Sequence, residues 1–137
     1  MDIAVKRAEY FYATVDDKSG VAYGLLEVFK KNGVNLLAFT AFPSGAGQSQ
    51  IDFFPESAKK LKAVLADIGI SIVGPRNAFM VQGVNDIGAL VEQHRKLSEA
   101  GINVHAANGV TDGTGRFGYV LWVAPDEYEK AAKVLGV

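Results

Sequence analysis

An internal repeat restricts the folds available to this chain more than any other feature of its sequence. Two glycines and an asparagine recur 68 residues later, namely Gly20, Gly33 and Asn35 as Gly88, Gly101 and Asn103. A second block, residues 55–65, matches residues 125–135 at an offset of 70. Two similar blocks in the same order predict two copies of one supersecondary unit. We expect the two additional residues of the second copy in its glycine-rich hairpin.

The spacing of apolar residues predicts two helices in each copy. The first helix is expected to end at Gly33 or Gly101, because glycine readily takes the left-handed conformation after a last turn. The second is expected to begin at Pro55 or Pro125, since proline suits the first helical position. The residues predicted to be buried are, helix by helix, Val21, Leu25, Val28 and Phe29; Ala58, Leu61, Leu65 and Ile68; Ile87, Leu90, Val91, His94 and Leu97; and Tyr128, Ala131 and Leu135.

Short apolar runs between the helices predict strands. Glycine-rich residues 43–47 and 111–115 are expected to form hairpin loops. Each copy then has the order β-α-β-β-α-β, the ferredoxin-like α+β arrangement with an antiparallel sheet and both helices on one face. The predicted strands are residues 9–15, 36–42, 51–54 and 70–73 in the first copy and 78–83, 104–110 and 117–123 in the second.

The predicted domain boundary lies between the copies, with residues 1–74 in the first unit and residues 75–137 in the second. Little sequence follows the last predicted helix, so we expect the closing strand of the second unit to be short or missing. Residues 1–7 are surplus to the first copy, and they are a candidate to fill this edge.

The turn between the first strand and first helix of each copy is the predicted binding site. Backbone N–H groups at a helix start lack intrahelical acceptors and favour an anionic group. An asparagine opening the next strand, which we expect beside the turn, offers a donor and an acceptor to a zwitterion. The same residues also have a purely structural explanation as turn formers, caps and close-packing glycines. The candidate ligand-binding residues are Asp17, Ser19, Gly20, Val21 and Asn35 in the first copy and Asn85, Ile87, Gly88, Ala89 and Asn103 in the second.

The segments 17–20 and 33–35, with their copies 85–88 and 101–103, resemble the ACT domain, the regulatory module of amino-acid metabolism. The resemblance covers nearly the whole chain as a tandem pair. It implies an allosteric protein that binds an amino acid effector at the interface between paired domains and acts on a separate downstream protein. It also implies a homodimer or higher homo-oligomer formed through sheet or helix edges.

In serine-regulated members of that family, one asparagine of the turn and one after Gly-x hold the effector. These roles fall on Asn85 and Asn103, with Asp17 and Asn35 as their counterparts in the first copy. The chain departs from the family where proline often precedes the turn glycine, because it has Ser19 and Ile87 there. Asp17 also replaces an amide with a carboxylate, which suits the effector's ammonium group and repels its carboxylate.

Residues 116–122 support an alternative, because their aromatic pattern resembles the third strand of RNA-recognition domains, which share this element order. Phe117 and Tyr119 would then offer a stacking face to bases. Acidic residues outnumber basic ones in residues 75–137, and the net charge of the chain is -1, which disfavours phosphate binding. A purely structural dimerisation module is the remaining alternative. Residues 113–118 match a dinucleotide fingerprint, but a strand follows them where a helix is needed.

Composition and motifs exclude several classes of function. The chain has no cysteine, which excludes disulfides, zinc-thiolate sites and thiol nucleophiles. It has no nucleophile elbow, phosphate loop or His-carboxylate metal spacing, so we expect no catalysis, no cofactor and no metal. Its charged N-terminal residues do not fit a secretory signal, and its longest uncharged stretch, residues 32–51, is broken by glycine and proline. We therefore expect a cytoplasmic protein.

Overall fold

The computed structural model describes residues 2–137, and its elements follow the predicted alternation of strands and helices. A short 3-10 helix, Pro125–Glu127, precedes the last α-helix. The remaining elements are, in chain order, β1 (Ile3–Asp16), α1 (Val21–Lys31), β2 (Leu36–Gly45), β3 (Gln48–Pro55), α2 (Ala58–Asp67), β4 (Val73–Val84), α3 (Val91–Glu99), β5 (Val104–Thr111), β6 (Arg116–Val123) and α4 (Tyr128–Leu135).

The chain divides into two compact units. The first unit is Glu9–Arg76, and the second combines residues 2–8 with Asn77–Val137. The predicted division at residue 74 differs from this mainly at the N-terminus, because the start of β1 pairs within the second unit, where the Val84 amide donates to the Asp2 carbonyl over 3.4 Å. β1 and β4 therefore contribute residues to both units.

Both units have the strand order of a ferredoxin-like fold, which confirms the predicted class. The order is β2-β3-β1-β4 in the first unit and β5-β6-β4-β1 in the second. No strand follows α4 in residues 2–137, and the start of β1 takes the edge position in the second unit. The predicted strands 70–73 and 78–83 are not separate: β4 begins only at Val73 and continues to Val84.

The core of the first unit lies between its sheet and helices α1 and α2. Leu25 and Phe29 of α1 and Leu61 and Leu65 of α2 are buried there, as predicted. Ile68 was expected in this core, but it follows the last turn of α2 and is 42% exposed. The prediction that Pro55 opens α2 is also wrong: β3 ends at Pro55, and the Ser57 side chain caps the helix by accepting from the Lys60 amide at 3.3 Å.

The core of the second unit contains the predicted residues of α4, with Tyr128, Ala131 and Leu135 all buried. Pro125 opens the 3-10 turn before α4, in agreement with the prediction. The prediction for α3 is only partly right. Leu97 is buried, whereas Ile87 lies in the exposed turn before α3 and Val91 is exposed like Tyr23, its counterpart at the offset of 68.

The pairing between the first and the third strand has the same register in both units. The first and third strands pair as Ala13 with Ile51 in the first unit and as Val81 with Tyr119 in the second, which keeps the offset of 68 beyond the hairpins. The two additional residues therefore do not lie in the hairpin, where we expected them. They lie between β6 and α4, which begins at Tyr128.

A buried carboxylate in β3 gives the first pH-dependent prediction. Asp52 is 4% exposed and accepts a hydrogen bond from Gln50 Nε2 at 2.9 Å. Burial raises the pKa of Asp52, and the Gln50 hydrogen bond only partly opposes that effect. The folded state therefore holds the Asp52 proton more tightly than the unfolded state, so the charged form destabilises the fold at neutral pH.

We expect Asp52→Asn to raise the melting temperature at pH 7, because it removes the buried charge and keeps an oxygen acceptor for Gln50. The gain should shrink as the pH falls through the folded-state pKa of Asp52 and vanish below its unfolded value, about 3.9. Thermal melts followed by circular dichroism from pH 7 to acid measure the effect. Glu9→Gln, at an exposed position of β1, is the matched control. An equal gain in both variants would contradict this origin.

Candidate functional site

The connection from β1 to α1 holds four of the predicted site residues in a tight turn. The Asp17 amide donates to the Gly47 carbonyl at 2.9 Å, which places the β2–β3 hairpin beside the turn. The Lys18 amide donates to the Asp16 carbonyl at 3.0 Å. Gly20 takes the left-handed conformation, with φ 92°, and no side chain among residues 2–137 caps the helix that follows. Glycine is favoured at this position because other residues rarely adopt that conformation.

The start of α1 leaves polar groups available to a ligand. The Val21 amide contacts the Lys18 carbonyl at 3.5 Å, and the helical ladder begins with the Gly24 amide donating to the Gly20 carbonyl at 2.9 Å. The intervening amides of Ala22 and Tyr23 have no acceptor among residues 2–137. The Asp17 carboxylate likewise has no partner within that range. Donors and a carboxylate are therefore present together at one turn.

A cavity of about 260 Å³ lies beside this turn. Strands β1, β2 and β3 and the first residues of α1 form its walls. Its polar groups belong to Asp16, Asp17, Lys18 and Ser49, and Lys18 Nζ lies 3.8 Å from Asp16 Oδ2. Sequence analysis identified Asp17 and Val21 but missed the hairpin residues. The remaining lining residues are apolar, namely Val15, Val21, Ala22, Ala41, Phe42, Pro43 and Ile51.

The turn between β4 and α3 repeats the hydrogen bonds of the first turn at the same offset of 68. The Asn85 amide donates to the Gly115 carbonyl at 2.9 Å. The Asp86 amide donates to the Val84 carbonyl at 3.0 Å, and the Ala89 amide donates to the Asp86 carbonyl at 3.1 Å. The Ala89 amide, which we expected to contact a ligand carboxylate, is therefore already paired. Ile87 and Gly88 lie in the exposed part of this turn.

Asn35 and Asn103 do not lie beside the turns, contrary to expectation. α1 has 11 residues and therefore carries the chain ~16 Å along its axis before Asn35 is reached. Asn35 Nδ2 donates to Glu56 Oε2 at 3.3 Å at that far end. Asn103 lines an open depression of about 450 Å³ with Ser98 and Gly101, at the C-terminal end of α3. A helix C-terminus favours cations, so this depression does not suit a carboxylate.

The aromatic residues of β6 do not form an exposed stacking platform. Phe117 is buried against Val81 and Ala89, on the face of the sheet that the helices cover. Tyr119 shares that face, and its hydroxyl lies 2.8 Å from His94 Nε2. Because these rings pack against the protein itself, the structure does not support the RNA-binding alternative.

The glycine-rich residues 113–118 lie at a hairpin, as expected for a chance match to the dinucleotide fingerprint. Asp112 Oδ1 accepts from the Thr114 amide at 2.7 Å and from the Arg116 amide at 3.2 Å, and these bonds hold the pKa of Asp112 below its ordinary value. Within residues 2–137, no three His, Asp or Glu side chains are grouped as metal ligands. None of the helices in that range is long and apolar enough to cross a membrane.

Comparisons with known proteins bear on the fold. No family model matches the sequence, and no curated protein sequence matches it. The crystal structure of protein BT0572 from Bacteroides thetaiotaomicron is similar, with a TM-score of 0.82 at 19% identity, over 96% of this chain and 88% of that one.

Two further solved structures are also similar to this chain. One is of the aspartokinase alpha and beta subunits, with 22% identity, a TM-score of 0.65 and coverage of 98% of this chain and 95% of that one. The other is the ligand-free regulatory subunit of aspartate kinase from Thermus thermophilus, with 16% identity, a TM-score of 0.61 and coverage of 98% and 94%. These similarities confirm the predicted tandem ACT-type fold.

Proposed function

We propose that this chain is a regulatory protein without catalytic activity that binds a free amino acid at the start of α1. The observation that carries the proposal is the cavity of about 260 Å³ between the Asp17 turn and the β2–β3 hairpin. Sites for drug-sized ligands span about 300–1,000 Å³, so a smaller volume suits a metabolite. The fold shared with structures named as regulatory subunits of aspartate kinase supports the same class of function.

The groups around the cavity match the two charges of an amino acid. The Asp17 carboxylate accepts the ligand's ammonium group. The Lys18 ammonium and the Ala22 amide bind its carboxylate, and the positive end of the α1 dipole adds to that attraction. Ser19 and Gly20 shape the turn that presents these groups. The apolar wall of the cavity is then left for the ligand's side chain.

A ligand in this cavity contacts both the β1–α1 turn and the β2–β3 hairpin of the first unit. A ligand held between the turn and the hairpin stabilises the arrangement in which both contact it, and it shifts the population toward that arrangement. We propose that this shift alters self-association or the interaction with a downstream protein. The names of the similar aspartate kinase structures describe subunits, which supports an assembled form.

A thermal-shift screen with the twenty amino acids tests the binding site. A ligand present at about a thousandfold excess over its Kd adds roughly 4 kcal/mol of stability, which raises the melting temperature by several degrees. We expect one or a few amino acids to produce this shift. Asp17→Asn should reduce it clearly, because the neutral amide keeps a hydrogen-bond acceptor for the ammonium group but loses the opposite charge.

Asp67→Asn is the matched control for that experiment. It makes the same change of charge at the end of α2, outside the cavity, and should leave the ligand-induced shift unchanged. If Asp17→Asn and Asp67→Asn responded alike to the ligand, the ammonium contact with Asp17 would be excluded. If no amino acid shifted the melting of the wild-type chain, the proposed function would be wrong.

Self-association requires a separate measurement. We expect sedimentation velocity to detect a homodimer or larger assembly, with an equilibrium that changes when the binding amino acid is added. The reason is that a ligand which favours one arrangement also changes the affinity of any contact specific to it. A monomer under both conditions would rule out regulation through self-association and leave a downstream protein as the recipient of the signal.

A further inference from the structure

We propose that the chain binds one amino acid with an apolar side chain, in the first unit alone, because the second unit fills the equivalent space with its own residues. This inference rests on the proposed function. The argument compares positions that the two units share at the offset of 68.

The lining of the cavity has a counterpart at each aligned position of the second unit. Ile51 pairs with Ala13 and Ala41 in the first unit. Tyr119 pairs with Val81 and Gly109 in the second. The same register places Ser49 at the position of Phe117, and the repeated turn places Ala22 at the position of Leu90. The two units can therefore be compared side chain by side chain, because the aligned positions have the same strand pairing and the same turn.

The substitutions at these positions close the space in the second unit. Phe117 replaces Ser49, Tyr119 replaces Ile51 and Leu90 replaces Ala22, so three side chains become larger. Three others become smaller, since Gly83, Ala89 and Gly109 stand at the positions of Val15, Val21 and Ala41. Together with Val81 and Ala89, the three larger side chains form an apolar cluster. Phe117 is 8% exposed within it.

The Tyr119 ring is held in this position by two contacts. Its hydroxyl hydrogen-bonds to His94 at 2.8 Å, and its ring lies so close to β5 that a Cβ at Gly109 would be 2.8 Å from Tyr119 Cδ1. The first unit has Leu26 at the position of His94, and a leucine cannot make such a hydrogen bond. The packing of the Tyr119 ring is therefore specified by the second unit's own residues, His94 and Gly109.

The side chains that fill the second unit also indicate which kind of ligand side chain the cavity of the first unit accepts. Phe117 occupies the second unit with an apolar group, packed against the same strand and helix positions that line the first unit's cavity. A ligand side chain entering the first unit meets Val15, Val21 and Ile51. Burying an apolar side chain there is favourable, whereas a charged one would lose its hydration without gaining a partner.

Isothermal titration calorimetry with the amino acid identified by the screen tests the proposal. We expect one ligand for each chain and a preference for apolar over charged side chains. Ser49→Phe, which introduces the second unit's residue, should abolish measurable binding. Ser49→Ala, the control at the same position, should bind nearly as the wild type does. Tyr119→Ile, made in the second unit, should also retain binding at the first site.

The amide resonances of the wild-type chain locate the ligand without a substitution that risks the fold. We expect NMR shift changes to concentrate in residues 16–23 and 41–42 and to spare residues 84–91. Two ligands for each chain, binding that survives Ser49→Phe, or shifts centred on residues 84–91 would overturn this inference and leave the proposed function standing. Preferential binding of a charged amino acid would overturn the assigned side-chain class. The absence of any amino acid binding would overturn both proposals.

Discussion

Replacing Phe53 with alanine is expected to lower the free energy of unfolding by about 3–5 kcal/mol, the usual cost of truncating a buried aromatic residue. Phe53 is fully buried at the centre of the first unit. Its ring makes edge-to-face contacts with Phe29 at 5.4 Å and Phe39 at 6.0 Å between centroids. The variant loses both aromatic contacts and leaves a cavity that the surrounding strand and helix cannot fill by relaxation alone.

Urea denaturation followed by circular dichroism measures this loss. Phe53→Leu is an informative companion, because the second unit buries Leu121 at the equivalent position, and we expect it to cost clearly less than the alanine. Tyr23→Ala serves as the surface control, since Tyr23 is 70% exposed, and it should change stability by no more than about 0.5 kcal/mol. A loss for Phe53→Ala no larger than that of Tyr23→Ala would contradict the assigned core.

The repeat and the helix ends could be predicted from the sequence because they depend on local chemistry. Gly33 and Gly101 both follow a helix with positive φ, at 69° and 72°. In each unit the residue after this glycine donates back to the helix: the Val34 amide to the Phe29 carbonyl and the Ile102 amide to the Leu97 carbonyl. Such a cap involves only neighbouring residues, so a single sequence contains the information that defines it.

The continuity of β4 could not be predicted because it depends on distant residues. Gly74 and Pro75 read as a strand end in sequence. In the structure, a Cβ at Gly74 would lie 2.9 Å from the Tyr10 carbonyl oxygen, so glycine is needed where β1 passes closely. Gly74 thus allows β1 to lie close to β4, and the sequence around Gly74 gives no sign of that neighbouring strand.

The sequence and the structure place the proposed site at the same turn, but they differ in which residues surround that turn. Asp17 lines the cavity as expected, because a turn before a helix is a local feature. Asn35 was expected beside it because this residue opens the next strand, although the length of α1 carries Asn35 to the opposite end. The hairpin residue Ser49 was missed, although the sequence contained a signal for it. At the offset of 68, Ser49 aligns with Phe117, and side chains of such different volume cannot leave the same space in both copies.

The second large effect is expected from Gly109→Ala, which should lower the free energy of unfolding by about 1–3 kcal/mol through overpacking. The added methyl group would lie 2.8 Å from Tyr119 Cδ1, and the hydrogen bond to His94 restrains the ring from moving away. Gly118→Ala in the neighbouring strand is the matched control. A Cβ there meets no atom within 4 Å, so its effect should stay within about 0.5 kcal/mol.

The first unit provides the design for a rescue of that variant. It has Ala41 and Ile51 at the positions of Gly109 and Tyr119, so Ala with Ile is a pair that this backbone already accommodates. Tyr119→Ile alone should also destabilise, because it removes the His94 hydrogen bond and leaves a cavity. The double variant Gly109→Ala/Tyr119→Ile should then lose less free energy of unfolding than the two single variants lose together, by a coupling of about 0.5–3 kcal/mol. Urea denaturation of the four chains gives this coupling. A value near zero would mean that Tyr119 does not press on β5, and the explanation for the closed second unit would lose its steric basis.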